Sequence, residues 1–371
     1  MSVCNEVRVC WMSCSIKQVH SYPLEFVSFN VLFLFVIRYI LYKAPGEEIP
    51  DPQNPRIKTY KKEMKYLYVD SSHSVPMVPG TTNYKNLIEP SGALANTLRP
   101  ILKSVRDMVR VFVSILPFND QLCNCLLSAG VLMLEHNSFG VWLLHSTPQF
   151  PFRRDQNNFW PESGFKNAQI FICVTFNYDQ FHYIGNKLTF PFDHDIPEDF
   201  HRELKDATKW VQTAPVSTFQ MLTSRRRQNF YSISKQQDSH LTRGDLYFTI
   251  AQETDSDVAV QTWGCQAGGV SSYCLDPKHK VYRVKNINTN TPVGSWMPSK
   301  DHSKWCVTKN QGKHWTCIGD VNRAETQYQR RGGALCINNE IIRNMFMYFG
   351  GVTEDSLISR NLAKFINPPE T

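Results

Sequence analysis

Between residues 38 and 176 short apolar runs, one of them alternating with polar positions, recur between polar segments. "RYILYKAPG" (38–46) reads as a strand entering a turn, and "KYLYVDSS" (65–72) as a second strand. "VRVFVSIL" (109–116), "GVLML" (130–134) and "GVWLLH" (140–145) are rich in β-branched and aromatic residues. The last two predict a hairpin through "EHNSF". "AQIFICVTF" (168–176) is almost continuously apolar, which predicts a strand covered on both faces. "GALANTLRPILKSV" (92–105) has helical spacing that Pro100 interrupts. Over 196–212, Pro197, Glu198 and Asp199 suit a first turn, and Phe200, Leu204, Ala207 and Val211 share a face, so a helix is predicted. "DLYFTIA" (245–251) and "DVAVQTWG" (257–264) read as strands, and "NEIIRNMFMYF" (339–349) as a helix. No short tandem repeat is present. Strands and helices alternate in two stretches on either side of a polar, helical seam near 195–220, the pattern of an α/β protein of two similar halves.

Composition narrows the class. The 371 residues are 42% apolar and 20% charged, enough to bury a core and too apolar for global disorder. A net charge of +7 favours a polyanionic partner. Eleven cysteines without zinc spacing point to a few disulfides and an oxidising compartment, hence a secreted or lumenal protein, and no metal site is expected. The uncharged run "FVSFNVLFLFVI" (26–37) falls short of the roughly 20 residues that span a bilayer. It suits a signal-peptide core or a buried strand, and no stable membrane insertion is expected. Residues 1–32 read as a leader or as a misassigned N-terminal segment.

The chemistry is densest in "DHSKWCVTKNQGKHWTCIGDVNRAETQYQRRGGALC" (301–336). On a strand, His302 and Lys304 leave the same face. A lysine is a point charge for phosphate oxygens, and a histidine serves as nucleophile or proton carrier. Asn322 can orient an imidazole or donate to a phosphate. Arg330 and Arg331 precede Gly332 and Gly333, where a backbone can approach an anion. Cys317 and Cys336 are a reasonable disulfide across the loop between them. The bland readings sit alongside: a lone His-x-Lys is common, "SRRRQ" (224–228) is a solvated face, and Trp305 and Trp315 are core residues.

"DHSKWCV", "HWTCIGDVNR" and "QRRGGALC" resemble the C-terminal signature of the deoxyribonuclease II family. Upstream, "RYILYKAPG", "KYLYVDSS", "SGALANTLRPIL", "GVLMLEHNSFGVWLLHSTPQFP" and "QIFICVTFNYDQF" follow in family order, so the resemblance runs from about residue 36 onward. It implies a phospholipase-D-like fold: two pseudo-symmetric αβαβα sandwich halves, 33–200 and 201–371, around a central cleft. It also implies cleavage of double-stranded DNA at acid pH to 3′-phosphates, with no metal or other cofactor, in a secreted or lysosomal protein. One histidine attacks phosphorus while another protonates the leaving oxygen. Carried over by position, His302, Lys304 and Asn322 form the second motif and His145 lies beside the site; Arg330 and Arg331 are expected to bind substrate from their own place ahead of the two glycines.

The first motif departs from the family. Gly-His-Thr-Lys is expected just before "GVLML", and Leu127 and Ala129 stand where its histidine and lysine belong. A cysteine that would bridge to Cys173 is missing ahead of the first strand; Cys10 and Cys14 lie farther upstream. Two functions remain open: an acid endonuclease with half of its site, or a catalytically inactive secreted protein that binds nucleic acid.

Overall fold

The computed structural model describes residues 38–72, 75–102, 112–116, 130–134, 138–151, 157–185, 218–236, 238–239, 241–265, 268–270, 273–276, 278–330 and 332–349. In chain order its first strands are β1 (Arg38–Lys43), β2 (Glu48–Pro50), β3 (Lys58–Tyr60), β4 (Tyr66–Asp70), β5 (Phe112–Leu116), β6 (Gly130–Leu134), β7 (Phe139–His145) and β8 (Gln169–Asn177). β2 and β3 pair only with each other, and the rest form a sheet in the order β4-β1-β8-β7-β6-β5. The later strands are β9 (Thr218–Thr223), β10 (Asn229–Ser234), β11 (Val258–Gln261), β12 (Tyr273–Asp276), β13 (His279–Arg283), β14 (Ile287–Asn288), β15 (Ser295–Trp296), β16 (Trp305–Thr308), β17 (Trp315–Gly319) and β18 (Gly333–Asn338). Apart from the small β14-β15 pair they form a second sheet, β12-β13-β11-β16-β17-β18-β10-β9.

Strand alternation divides the apolar side chains into three clusters. Ile40 and Tyr42 of β1, Ile172 of β8, Trp305 of β16 and Leu335 of β18 meet in one core shared by both sheets, closed by Phe346 of the helix Glu340–Phe349. Tyr39, Leu41, Leu143 and Phe171 point the other way, against Leu94 and Leu98 of the helix Ala93–Leu102. Val258, Cys306 and Cys336 pack outward against Leu246 and Ile250 of the helix Leu246–Thr254. The molecule is thus a mixed α/β structure whose sheets are cemented face to face, with a helix on each outer side. No described helix is long and apolar enough to cross a bilayer.

Three expectations change. Residues 246–254 are helical although their β-branched and aromatic content predicts a strand. Asp245 caps this helix by accepting from the Tyr247 and Phe248 amides, and tertiary burial overrides weak local propensity. The helix Ala93–Leu102 runs through Pro100 rather than stopping there. β9 pairs with β10 but escapes sequence reading because Phe219 and Met221 face outward, 37% and 50% exposed, leaving little apolar signal on its inner face. The helix expected over 196–212 lies outside the described residues. Arg225, Arg226 and Arg227 are exposed in the turn between β9 and β10, as a solvated face requires.

One strand order occurs twice. β4-β1-β8-β7-β6-β5 matches β9-β10-β18-β17-β16-β11, with every neighbouring pair antiparallel. The registers agree as well. Tyr39 opposes Cys173, Cys173 opposes Leu143, and Leu143 opposes Val131. In the second sheet, Tyr231, Cys336, Cys317 and Cys306 follow the same path. Lys43 ends β1 and Lys235 directly follows the matching strand β10, and both are buried. Lys43 donates to the Phe165 carbonyl at 2.8 Å, and Lys235 to the Tyr328 carbonyl at 2.7 Å. Cys317 and Cys336, directly opposed on β17 and β18, form the expected disulfide. Cys173 is buried and unbonded to another cysteine; Cys10 and Cys14 lie outside the described residues.

Candidate active site

His302 and Lys304 lie not on a strand but on the extended segment leading into β16. A short 3-10 turn, Pro298–Lys300, delivers the chain to the start of β8 in the first sheet. There Ala168 donates its N–H to the Lys300 carbonyl at 2.9 Å, and His302 donates to the Ala168 carbonyl at 3.0 Å. Extended backbone still sends alternate side chains to opposite sides. Asp301 and Ser303 therefore point into the shared core, fully buried, and His302 and Lys304 leave the other way.

Asp301 is the anchor. Its Oδ2 accepts from the Tyr42 hydroxyl and from Trp296 Nε1 at 2.7 Å, and its Oδ1 accepts from the Ser303 amide at 2.8 Å. Burial pushes the carboxyl upward while these donors hold it down. The donors come from β1, from β15 and from the segment itself, so the His302 backbone is fastened at the seam between the two sheets.

The imidazole has two neighbours that sequence reasoning did not name. The Asn167 side-chain amide lies 3.0 Å from His302 Nε2, and the Trp263 ring packs over the imidazole at 4.8 Å between centroids. Asn322 joins the site through Trp263, whose backbone N–H reaches Asn322 Oδ1 at 3.4 Å. Lys304 is 8% exposed, and its Nζ donates to the His302 carbonyl at 3.1 Å. Burial, then the Lys304, Lys166 and Lys43 ammonium groups, lowers His302 to about 3. It is a neutral imidazole in a cationic setting.

Lys43 is fully buried, and its Nζ donates to the carbonyls of Phe165 at 2.8 Å and Asn167 at 2.6 Å. Desolvation lowers it to about 7, against the opposing pull of Asp301. The same backbone is gripped once more: Gly46 donates to the Lys166 carbonyl at 3.0 Å, and a side chain at Gly46 would collide with the Phe165 carbonyl. This contact accounts for the glycine that closes "KAPG".

His145 ends β7, 1% exposed, with Phe150 edge-on at 5.0 Å and Phe171 at 5.6 Å. Neither ring nitrogen has a partner in hydrogen-bonding geometry among the described residues. Burial first, and Lys304 second, lowers it to about 3, so its ring feels the same ammonium group as His302. Arg330 is half-buried, and its N–H donates to the Gln327 carbonyl at 3.2 Å. Arg331, Leu127 and Ala129 lie outside the described residues. Gly332 and Gly333 are required by packing. A side chain at Gly332 would strike Val321 and Asp320, and one at Gly333 the Ile233 carbonyl.

A neutral imidazole, two amides and several ammonium groups gathered on one wall suit a phosphodiester anion. Among the described residues, no three His, Cys, Asp or Glu side chains are grouped to hold a metal ion.

The family model for deoxyribonuclease II matches residues 36–350, and the chain belongs to that family. It is 34% identical over 227 residues to Plancitoxin-1 of Acanthaster planci, a stretch covering 58% of this chain and 62% of that protein. Deoxyribonuclease-2-alpha of Sus scrofa is 30% identical over 320 residues, 80% of this chain and 82% of the relative. Deoxyribonuclease-2-beta of Homo sapiens is 34% identical over 227 residues, which span 61% of its length.

Proposed function

We propose that this deoxyribonuclease II-like protein binds double-stranded DNA at its phosphodiesters through a one-sided site centred on His302. It turns DNA over far more slowly than a member with two His-x-Lys motifs. The observation behind this reading is the environment of His302: a neutral, hydrogen-bonded imidazole set among Lys304, Lys166 and Lys43.

In this reading residues 33–200 and 201–371 are two phospholipase-D-like halves around a central cleft. The doubled strand order and the twin lysines Lys43 and Lys235 support it. The matched registers pair Val131 with Cys306, and β6 and β16 begin one residue earlier, at Gly130 and Trp305. Counting back along each chain, Leu127 and Ala129 stand for His302 and Lys304.

The lone pair of His302 attacks phosphorus, and the bond to the 5′ oxygen breaks. That oxygen needs a proton, and water must then cleave the phosphorus–nitrogen bond to leave a 3′-phosphate. His302 holds its lone pair in acid because its environment suppresses protonation. Lys304 and Asn322 donate to phosphate oxygens, and His145, Arg330 and Arg331 flank the substrate. Leu127 has no proton to give, and loss of a general acid costs roughly 10²–10⁴-fold. The same substitution favours a second reading, a secreted or lysosomal DNA binder that has lost catalysis.

The test uses supercoiled plasmid at about pH 5 in EDTA, where an ordinary histidine is charged. The double variant Leu127→His/Ala129→Lys is expected to cut about 10²-fold faster than the native chain or better, and His302→Ala to remove cutting from both. DNA binding should weaken steeply with salt. Native cutting as fast as the double variant's, or cutting that survives His302→Ala, overturns the one-sided site. Binding without any native cutting selects the second reading.

A further inference from the structure

His302 and Asn167 lie 135 positions apart in the chain, and Asn167 owes its place to Lys43. The Lys43 ammonium donates to the Phe165 and Asn167 carbonyls, and the Asn167 amide nitrogen sits 3.0 Å from His302 Nε2. An amide nitrogen only donates, so the imidazole nitrogen facing it accepts. We propose that Asn167, on a backbone clamped by Lys43, is a positioning residue that fixes His302 in its Nδ1–H tautomer and so keeps the Nε2 lone pair free of a proton for attack on a phosphodiester.

Three observations converge. The imidazole is held between a hydrogen bond at Nε2 and the Trp263 ring, so its orientation is over-determined. Lys43 is a costly group to bury, and burial of an ammonium is tolerated where its bonds are needed. Its twin Lys235 is also buried and makes the corresponding bond to the Tyr328 carbonyl, so such a lysine holds neighbouring backbone in both sheets. Among the described residues, it is the clamp at Lys43 that is coupled to an imidazole through the residue it holds. A tautomer set by a second residue is how a histidine is readied for one role rather than another.

When a phosphate reaches Nε2, the Asn167 amide yields its bond there and is left beside the phosphoryl oxygens as a donor. This inference rests on the reading of His302 as the nucleophile. Its test reads the imidazole directly, so the two fail separately.

Long-range ¹H–¹⁵N spectra of the full chain, with His302 assigned by its loss in His302→Ala, report the tautomer without any turnover. The native protein should show an unprotonated Nε2 and a protonated Nδ1. Asn167→Ala should move His302 toward the Nε2–H form preferred by an unconstrained imidazole. Asn167→Asp, which can only accept when ionised, should install that form fully. Lys43→Met should also lose the Nδ1–H population, whereas Lys235→Met, removing the twin clamp, should leave it intact. A native Nε2–H, or no change in Asn167→Ala, overturns the proposal. Equal responses to Lys43→Met and Lys235→Met would mean that the lysines act only through general stability, and would overturn the assigned role of Lys43.

Discussion

The Tyr42 hydroxyl donates to the carboxylate of Asp301, 259 positions further along the chain. The bond ties the end of β1 to the residue next to His302, joining the first sheet to the segment that carries the candidate nucleophile. Tyr42→Phe removes one of the donors to a fully buried carboxylate, and leaving such an acceptor short of partners costs about 1–3 kcal/mol. Urea unfolding should show that loss, and because His302 follows Asp301 directly, DNA binding should weaken too.

The buried pair of Arg323 with Asp245 should prove the more sensitive site. Arg323 Nε reaches Asp245 Oδ2 at 2.8 Å, and both side chains are almost wholly enclosed. Asp245 also caps the helix Leu246–Thr254. Arg323→Met strands that carboxylate, an effect of about 3–5 kcal/mol. Loss of an N-cap alone is worth only about 1 kcal/mol. Denaturant titration of Arg323→Met against a second variant, Asp245→Asn, which keeps the cap but not the charge, separates the two contributions.

Cys317 and Cys336 close a loop of sequence separation 19. Loop-closure entropy puts the stabilisation near 3 kcal/mol. The paired Cys317→Ser/Cys336→Ser variant should unfold at correspondingly lower urea. Both sulfurs are buried, so native protein in reductant should lose the bond only as fast as the second sheet opens.

Acid should destabilise the fold through His145 and His302. Both are held near 3 in the folded chain, by burial first and by Lys304 next. An unfolded histidine titrates near 6.5. The unfolded state therefore takes up protons first as pH falls, and the folded state is favoured above about 6.5. Stability should decline from there toward about 3, at up to about 1.4 kcal/mol per pH unit for each ring. Unfolding free energies across this window should show the slope, and His145→Leu should flatten it. A bound oligonucleotide should raise the His302 pKa, because a phosphate offsets the ammonium groups around it.

Strand positions were legible where short β-branched and aromatic runs are bounded by polar or turn residues, as in "RYILYK" and "GVWLLH", whose residues are buried at every position because both faces of the first sheet are covered. This signal failed at "DLYFTIA", where a capping aspartate and burial on all sides outweigh propensity. It failed again at β9, where Phe219 and Met221 point outward and Leu222 is the apolar residue turned to the core. The disulfide was legible because two cysteines flank one loop and their strands are neighbours. Asn167, Trp263 and Lys43 were not. Nothing in the spacing around them marks a contact with a residue so distant in the chain, from Trp263 to His302 or from Lys43 to Asn167.

By itself the sequence determined the family and the main strands, and it singled out His302, Lys304 and Asn322 as candidates together with the substitutions Leu127 and Ala129. Each of these is local: a short motif, a period or a substitution at a counted position. Only the tertiary structure decided that His302 is neutral, which residue meets its Nε2, and that Lys43 is buried beneath it. Those properties depend on desolvation and on charges brought together from β1, β8 and the entry to β16, and the distance between such groups is set by packing rather than by order along the chain.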